Sequence, residues 1–400
     1  MPDDDRQNSF YTDCFAGDNL EACKDGFNSS VSQIQDSVSL SLNSSIDAIL
    51  KGREILYKVD RCYRSPVTYD GRTPSWISSE DEELIQNANI KPDIVVEQDG
   101  SGNYRTISEA IKAAPSYRKQ RFYIYVKQGI YSEYVNIGMD KWNLVMFGDG
   151  MYKTIVTGSK SKNGGYDINN SGTFIVQGKR FIARDMGFVN TAGNSGEQAV
   201  ALYATTDRSV FYRCQINGYQ DTLYVNAGLQ FYRECDIYGT IDFIFGNAAA
   251  VIQSSTILAK RPQQGRGNAI VAQGRTDSRC QTAIVIQSST IKAAEDLSGV
   301  TTALGRPWKT CSAVVYLNNY MESLISPIGW TPMNPGTPPD TIFLAEYGNK
   351  GPGSNVAGRV NWKGVRTNLS YNEANRYTVN SLISGSKWLA KTRVPYNPGL

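Results

Sequence analysis

The sequence contains no histidine among its 400 residues. Imidazole is the side chain that most often carries protons in catalysis near neutral pH, and it is a common metal ligand. An enzyme built from this chain would have to move protons with other groups, carboxyl groups first among them. The seven cysteines form no CxxC pair. Without histidine they argue against a zinc site, and we expect neither a metal nor a cofactor.

Long hydrophobic runs are also missing. No stretch of about 18 apolar residues occurs, so we expect no membrane span. The start, MPDDDRQNSF, has neither the basic nor the apolar region of a signal peptide, which indicates a cytosolic protein or an incomplete copy of a secreted one. Sequons at Asn28, Asn43, Asn169 and Asn368 suit a secreted glycoprotein, although so short a pattern arises equally well by chance.

Blocks of lysine and arginine are absent, as are nucleic-acid-binding motifs. Charge is nevertheless uneven: residues 1–92 carry 16 acidic and 9 basic side chains, whereas residues 93–400 carry 22 acidic and 32 basic ones. A basic body favours a polyanionic partner, which could be nucleic acid, an anionic membrane surface or an acidic polysaccharide. The missing motifs weigh against nucleic acid.

The first 92 residues differ in pattern from the rest. Between residues 27 and 56, apolar side chains recur at intervals of three and four, at Val31, Ile34, Val38, Leu42, Ile46 and Ile49. This spacing predicts an amphipathic helix. Residues 59–92 hold proline, glycine, serine and an acidic run, and we interpret them as a linker.

From Asp93 onward the pattern changes to short strands separated by glycine and asparagine. Five similar segments, among them FYRCQI and FYRECDI, end at Met186, Ile216, Ile237, Ile257 and Ile291, at intervals of 30, 21, 20 and 34 residues. A minimum period near 20 with variable excess predicts a solenoid whose coils carry different loops. A parallel β-helix fits best, because the LxxLxL frame of leucine-rich repeats is absent.

Two aspartates occupy the same position in successive coils of this solenoid. Asp221 follows Ile216 by five residues, and Asp242 follows Ile237 by five. Their backbones should stack about 4.8 Å apart, where two carboxylates repel unless one holds a proton or a cation lies beside them. Such a pair suits glycoside hydrolysis or acyl transfer. Acyl transfer also needs neutral donors for the oxyanion, for which Gln198 and Gln220 are candidates.

Five motifs taken together resemble the plant pectin methylesterases: QDGSGNYRTISEAI (98–111), GEQAVAL (196–202), GYQDTLY (218–224), GTIDFIFGNAA (239–249) and LGRPW (304–308). The resemblance runs from about Asp93 to the C-terminus. It implies an all-β fold, a right-handed single-stranded parallel β-helix over residues 93–400. It also implies hydrolysis of the methyl esters of homogalacturonan, which releases methanol and pectate.

The resemblance also implies roles for individual residues. Asp242 would be the nucleophile and Asp221 the general acid and later base. Gln198 and Gln220 would donate to the oxyanion, and Arg306 would keep Asp242 ionised. Sugar rings would be contacted by four aromatic residues, for which core packing is the other interpretation: Trp308, Trp330, Tyr224 and Phe245.

The chain departs from the family at several positions. Glu197, Asn226, Ser255 and Ser289 stand where the family often has basic, histidine or cysteine residues. Residues 1–58 resemble part of the family's helical inhibitor-like pro-region, so we expect a short helical remnant ahead of the linker. Two alternatives stay open: another β-helix pectin enzyme, such as a polygalacturonase or lyase, and a catalytically silent pectin-binding homologue.

The resemblance further implies a setting and partners. The substrate would be methyl-esterified homogalacturonan, and a proteinaceous pectin methylesterase inhibitor would be a second partner. We expect a monomer that is secreted to the plant cell wall, with no nucleic acid bound.

Overall fold

A computed structural model describes residues 91–400, which belong to a compact unit spanning Ala88–Leu400. The helix predicted between residues 27 and 56 lies outside the described residues, and so does nearly all of the predicted linker over 59–92. No helix among residues 91–400 has the length and apolar character needed to cross a membrane.

The described chain forms three sheets in which every strand pair is parallel. Strands are numbered in chain order. Sheet 1 holds β1 (Ile94–Val96), β2 (Phe122–Val126), β5 (Leu144–Phe147), β8 (Ile182–Arg184), β11 (Ser209–Tyr212), β14 (Leu229–Arg233), β17 (Ala249–Gln253), β20 (Ala283–Gln287), β23 (Ala313–Leu317), β25 (Phe343–Tyr347) and β26 (Val365–Arg366). Sheet 2 holds β3 (Gly129–Ser132), β6 (Thr154–Gly158), β9 (Gly187–Asn190), β12 (Gln215–Asn217), β15 (Asp236–Gly239), β18 (Thr256–Ala259), β21 (Thr290–Ala293) and β24 (Tyr320–Met321). Sheet 3 holds β4 (Val135–Ile137), β7 (Phe174–Val176), β10 (Leu202–Thr205), β13 (Leu223–Ala227), β16 (Ile241–Gly246), β19 (Asn268–Gln273) and β22 (Thr302–Gly305).

Successive strands pass from sheet 1 to sheet 2 to sheet 3, and each strand pairs with its equivalent in the next coil. This confirms the predicted right-handed parallel β-helix. The core lies inside the coils, where rings such as Phe211 and Tyr232 stack 4.8 Å apart. Like residues repeat at like positions because each coil buries its inward side chains against the equivalents above and below.

The register confirms most of the predicted repeat. Ile216 pairs with Ile237, Ile237 with Ile257, and Ile257 with Ile291. The first position was wrong, because Ile216 pairs with Phe188 rather than Met186. Met186 instead lies one residue before the paired strand, in the position that Cys214 holds in the next coil, and both side chains are fully buried.

A polar ladder runs along the corner between sheets 1 and 2. The hydroxyl of Ser255 accepts a hydrogen bond from the backbone N–H of Cys235 at 3.1 Å. That of Ser289 accepts one from the N–H of Ser255, also at 3.1 Å. Asn319 extends the ladder by accepting from the N–H of Ser289 at 2.9 Å. The two serines that depart from the family pattern therefore satisfy buried backbone donors.

Three α-helices lie at the ends of the described chain: α1 (Ile107–Ala113), α2 (Tyr371–Asn375) and α3 (Val379–Ile383). A capping box between Thr106 and Glu109 begins α1, as the TISE sequence favours. The C-terminal segment runs back along sheet 1, where the side chain of Gln253 donates to the carbonyl oxygen of Asn397 at 3.0 Å.

Candidate active site

The two aspartates lie side by side on adjacent coils of sheet 3, as the sequence predicts. Asp221 stands just before β13 and Asp242 is the second residue of β16. The backbone N–H of Asp221 donates to the carbonyl oxygen of Ile241 at 3.0 Å. Both aspartates have left-handed backbones, with φ of 62° and 51°, a conformation that aspartate tolerates better than most residues.

A bulge at Asp242 aims its side chain outward. Ile241 and Ile244 on β16 pair with Ala269 and Val271 on β19, so three steps along one strand match two along the other. Bulges of this kind bend the strand and redirect a side chain, often beside functional sites. The residue after Asp242, Phe243, is fully buried in the core.

Arg306 holds Asp242 through a bidentate ion pair. Its Nε donates to Oδ1 and its Nη2 to Oδ2, both at 2.7 Å. The backbone N–H of Arg306 is itself fixed on the carbonyl oxygen of Val271 at 2.9 Å. Gly305 allows this approach, since a Cβ there would lie 2.3 Å from the same oxygen. Such a fork orients a carboxylate as well as neutralising it.

The two carboxyl groups differ in what surrounds them: Asp242 is paired with Arg306, whereas Asp221 is buried without such a partner within the described residues. Burial, with a further contribution from the charge of Asp242, raises the pKa of Asp221 well above its usual value, although Arg306 and Lys162 oppose the shift. Arg306 is hydrogen-bonded to Asp242 and to no oxygen of Asp221. The pair can therefore hold one protonated and one ionised carboxyl group at the same pH.

Backbone hydrogen bonds fix the positions of Gln198 and Gln220 near the two aspartates. The carbonyl oxygen of Gln220 accepts from the N–H of Ala199 at 3.1 Å, and that of Gln198 accepts from the N–H of Lys162 at 2.9 Å. The buried Oε1 of Gln198 has no hydrogen-bond partner in the described part of the chain. An unpaired amide oxygen can accept a hydrogen bond from a ligand, whereas a developing oxyanion would need the N–H donors of the same amide.

A row of aromatic rings lines the outer face of sheet 3 beside the aspartates. Tyr224 is stacked between Tyr203 at 4.6 Å and Phe245 at 4.3 Å. Both faces of its ring are thus covered by neighbours, and only ring edges point away from the sheet. Trp308 ends the row, edge-on to Phe245 at 5.9 Å, and stays partly exposed. Three of the four predicted sugar-contact residues are therefore together.

The fourth, Trp330, is not at the site, and its prediction as a sugar-contact residue was wrong. Its side chain is fully buried in the central core, where the ring lies edge-on to Tyr316 at 5.8 Å. Met333, which the sequence analysis passed over, packs against the outer aromatic row instead. Trp330 lies outside the named strands, in an isolated bridge to Gly305, and the sequence offered no signal for the side that its ring would face.

Sequence reasoning also missed a buried polar network behind the site. The amide Nε2 of Gln273 donates to Oδ1 of Asn247 at 3.0 Å, and the Thr282 hydroxyl donates to the same oxygen at 2.6 Å. The network ties the end of β16 to β19. A glutamine at the end of the apolar strand NAIVAQ was the available signal, because a buried polar group needs partners.

A second contact that sequence reasoning missed is an ion pair next to Gln198. Lys162 pairs with Glu197 at 2.9 Å, and Glu197 directly precedes Gln198 in the chain. We call the position of this ion pair the mouth of the site. Across residues 91–400, no group of three or more acidic or cysteine side chains could hold a metal ion.

Known proteins resemble this chain both in sequence and in structure. A family model described as Pectinesterase matches residues 93–386. Pectinesterase 2 of Citrus sinensis is 46% identical over 363 residues, which cover 90% of this chain and 70% of that protein. A pectin methylesterase from carrot has a structure with a TM-score of 0.77 and 45% identity, covering 79% of this chain and 100% of that one.

Some relatives are considerably longer. A pectinesterase/pectinesterase inhibitor of Arabidopsis thaliana is 50% identical over 319 residues, which cover 79% of this chain and 57% of the relative. Another from the same plant is covered over 54% of its length. The chain thus spans little more than half the length of these two curated relatives.

Proposed function

Because the chain belongs to the pectinesterase family, we propose that it hydrolyses the methyl esters of homogalacturonan and releases methanol. The observation that carries the proposal is the unequal aspartate pair. Asp242 is bound by Arg306 through two hydrogen bonds of 2.7 Å, and burial raises the pKa of Asp221. One group is suited to attack and the other to donate a proton.

In the first half-reaction, an ionised oxygen of Asp242 attacks the ester carbonyl carbon. The electron pair of the carbonyl bond moves to its oxygen, where amide donors of Gln198 and Gln220 would stabilise the negative charge. The tetrahedral intermediate then expels the methoxy group, which takes the proton of Asp221 and leaves as methanol. The products are an acyl–Asp242 anhydride and an ionised Asp221.

In the second half-reaction, Asp221 accepts a proton from water as the water oxygen attacks the same carbonyl carbon. The intermediate collapses with release of Asp242, which leaves as a carboxylate and regains its ion pair with Arg306. The product leaves as galacturonic acid, which gives its remaining water-derived proton to the solvent, and Asp221 is again protonated. The proton that methanol takes and the proton that water gives up in its attack both move through Asp221, so the cycle needs no imidazole.

The outer face of sheet 3 supports a polymeric substrate. Trp308, partly exposed beside the aspartates, is the ring best placed to stack on a sugar. The edges of Tyr224 and Phe245 would line the neighbouring part of the cleft. A proteinaceous inhibitor as partner, a monomeric state and action in the plant cell wall belong to the same proposal.

Methanol release from highly esterified homogalacturonan tests the proposal. Asp242→Asn and Asp221→Asn should each remove all but a small fraction of turnover while the fold persists. Asp340→Asn is the matched control, since that carboxyl group is largely exposed in an ion pair with Lys363. New reducing or unsaturated chain ends in place of methanol would instead identify a polygalacturonase or a lyase.

A further inference from the structure

Two short turns carry the catalytic aspartates into sheet 3. Gly218–Gln220 precede Asp221, and Gly239–Ile241 lead to Asp242. The turns are joined by backbone hydrogen bonds: the N–H of Thr240 donates to the carbonyl oxygen of Tyr219 at 2.9 Å. A displacement of one turn would therefore also move the other.

Lys260, which directly follows β18 on the next coil, contacts both turns. Its backbone N–H donates to the carbonyl oxygen of Gly239 at 2.8 Å. Its Nζ reaches past that coil and donates to the carbonyl oxygen of Gly218 at 3.1 Å and to Oδ1 of Asn217 at 3.3 Å. The same Nζ lies 3.5 Å from the centre of the Tyr219 ring.

The ammonium group is held there without a counter-charge in direct contact. None of the carboxylates among residues 91–400 forms an ion pair with Lys260. Burial lowers the pKa of Lys260 to about 8, against a smaller opposing effect of Glu295. Placing a lysine in such surroundings is costly, and its compensation consists of the two oxygens and the ring of the Asn217–Tyr219 segment.

From this geometry we propose that Lys260 is a positioning residue of the active site. It holds the Gly218–Gln220 turn against the Gly239 turn and so sets where Gln220 and Asp221 point. Its Nζ donates to the turn itself and not to the carboxyl group of Asp221 or Asp242. The inference rests on the proposed esterase function for its kinetic consequence, but its structural consequence can be measured without any turnover.

The chain provides a conservative replacement and a matched control. Lys260→Met keeps the length of the side chain but removes the donor and the charge, whereas Lys260→Arg keeps both. Lys292 lies in the neighbouring coil, at the position paired with Leu258, and no hydrogen bond joins its side chain to either turn. Lys292→Met therefore reports what loss of a nearby lysine does by itself.

Hydrogen–deuterium exchange is the readout that does not depend on activity. In Lys260→Met, the amides of Asp221 and Thr240 should exchange faster, while the strands of sheet 1 keep their protection. Lys260→Arg and Lys292→Met should exchange like the wild type at those amides. Because exchange is independent of turnover, this result stands even if the protein releases no methanol, and the two proposals fail separately.

Kinetics supply the second readout. A displaced acid and oxyanion donor should lower kcat for methanol release by about 10²-fold in Lys260→Met. KM should stay within about twofold, because these two groups act in the chemical step rather than in sugar binding. Lys260→Arg should recover most of kcat. Unchanged exchange at both turns would overturn the proposal, and so would a general loss of protection throughout the β-helix. Should Lys260→Met fail to fold, Lys260→Gln takes its place, and failure of both would show a purely structural role.

Discussion

Arg306 and Asp242 are 64 positions apart in the chain, yet their side chains meet in a planar fork of two 2.7 Å hydrogen bonds. The arginine reaches over β19 from the end of β22 to a strand two coils away. A fork of this kind orients the carboxylate in addition to balancing its charge. Orientation and charge can be separated by experiment.

Arg306→Lys should keep the charge and lose the orientation, so kcat should fall by about 10²-fold although the site stays neutralised. Arg359→Lys is the control: Arg359 forms a comparable fork with Glu346, at 2.8 and 3.0 Å, fully buried elsewhere in the fold. It should lower the melting temperature and leave kcat nearly unchanged. Retention of a third or more of kcat by Arg306→Lys would show that charge alone suffices.

The raised pKa of Asp221 predicts a pH-dependent gain of stability on its removal. Between the unfolded-state pKa of about 3.9 and the raised folded-state pKa, the folded protein binds more protons than the unfolded one. Stability of the wild type must then fall as pH rises through that window. Asparagine does not titrate, so the melting temperature of Asp221→Asn minus that of the wild type should increase with pH and then level off.

Thermal unfolding from about pH 4 upward checks this, with Asp340→Asn as the exposed control. A difference independent of pH would mean that Asp221 is ionised at little cost. Activity should report the same group, because turnover is lost as Asp221 gives up the proton it must donate. Reagents that modify imidazole should leave turnover intact, since the chain has no histidine.

Much of the fold was readable from the sequence because stacked coils repeat their buried residues. The run Ile216, Ile237, Ile257 and Ile291 occupies one row of sheet 2, and this row also placed the two aspartates on adjacent coils. The first coil was misaligned because Met186 and Phe188 are both apolar and both buried. Side-chain chemistry alone could not distinguish the paired position from the corner.

Parts of the site depend on which way a side chain points and how far it extends, and sequence periodicity does not encode either property. The bulge between Ile241 and Ile244 breaks the alternation of inward and outward residues. Whether Trp330 faces the core or the cleft could not be decided from its neighbours. The long side chain of Lys260 reaches across a whole coil to the carbonyl oxygen of Gly218, and no local sequence motif predicts such a contact.

The ion pair between Lys162 and Glu197 predicts opposite shifts of the alkaline limb. Lys162 lowers the pKa of Asp221 through its charge, and Glu197 partly neutralises that charge at 2.9 Å. Glu197→Gln should therefore move the loss of activity to lower pH, and Lys162→Met should move it to higher pH. The Lys162 side chain is 58% exposed and that of Glu197 is 29% exposed, so the shifts should be small and should shrink with added salt.

Profiles of kcat against pH at low and high ionic strength measure the two shifts. Lys153→Met, a lysine substitution outside the mouth of the site, should move neither limb. Shifts of the same sign in both variants would contradict the electrostatic account. They would point instead to a common effect on the backbone contact between Lys162 and Gln198, which is 2.9 Å long.

The two tryptophans provide the last prediction, because both are sugar-contact candidates in the sequence and the structure places them in different surroundings. Trp308 is partly exposed at the end of the outer aromatic row, whereas Trp330 is fully buried in the core. Trp308→Ala should raise KM for esterified homogalacturonan several-fold with little change in unfolding free energy. Trp330→Ala should cost about 3–5 kcal/mol of unfolding free energy, while KM of the remaining folded protein stays near that of the wild type.

Denaturant unfolding and initial-rate kinetics on both variants separate the two roles. A large rise of KM in Trp330→Ala without loss of stability would place Trp330 in the cleft after all, and an unchanged KM in Trp308→Ala would remove the ring from the proposed sugar contact.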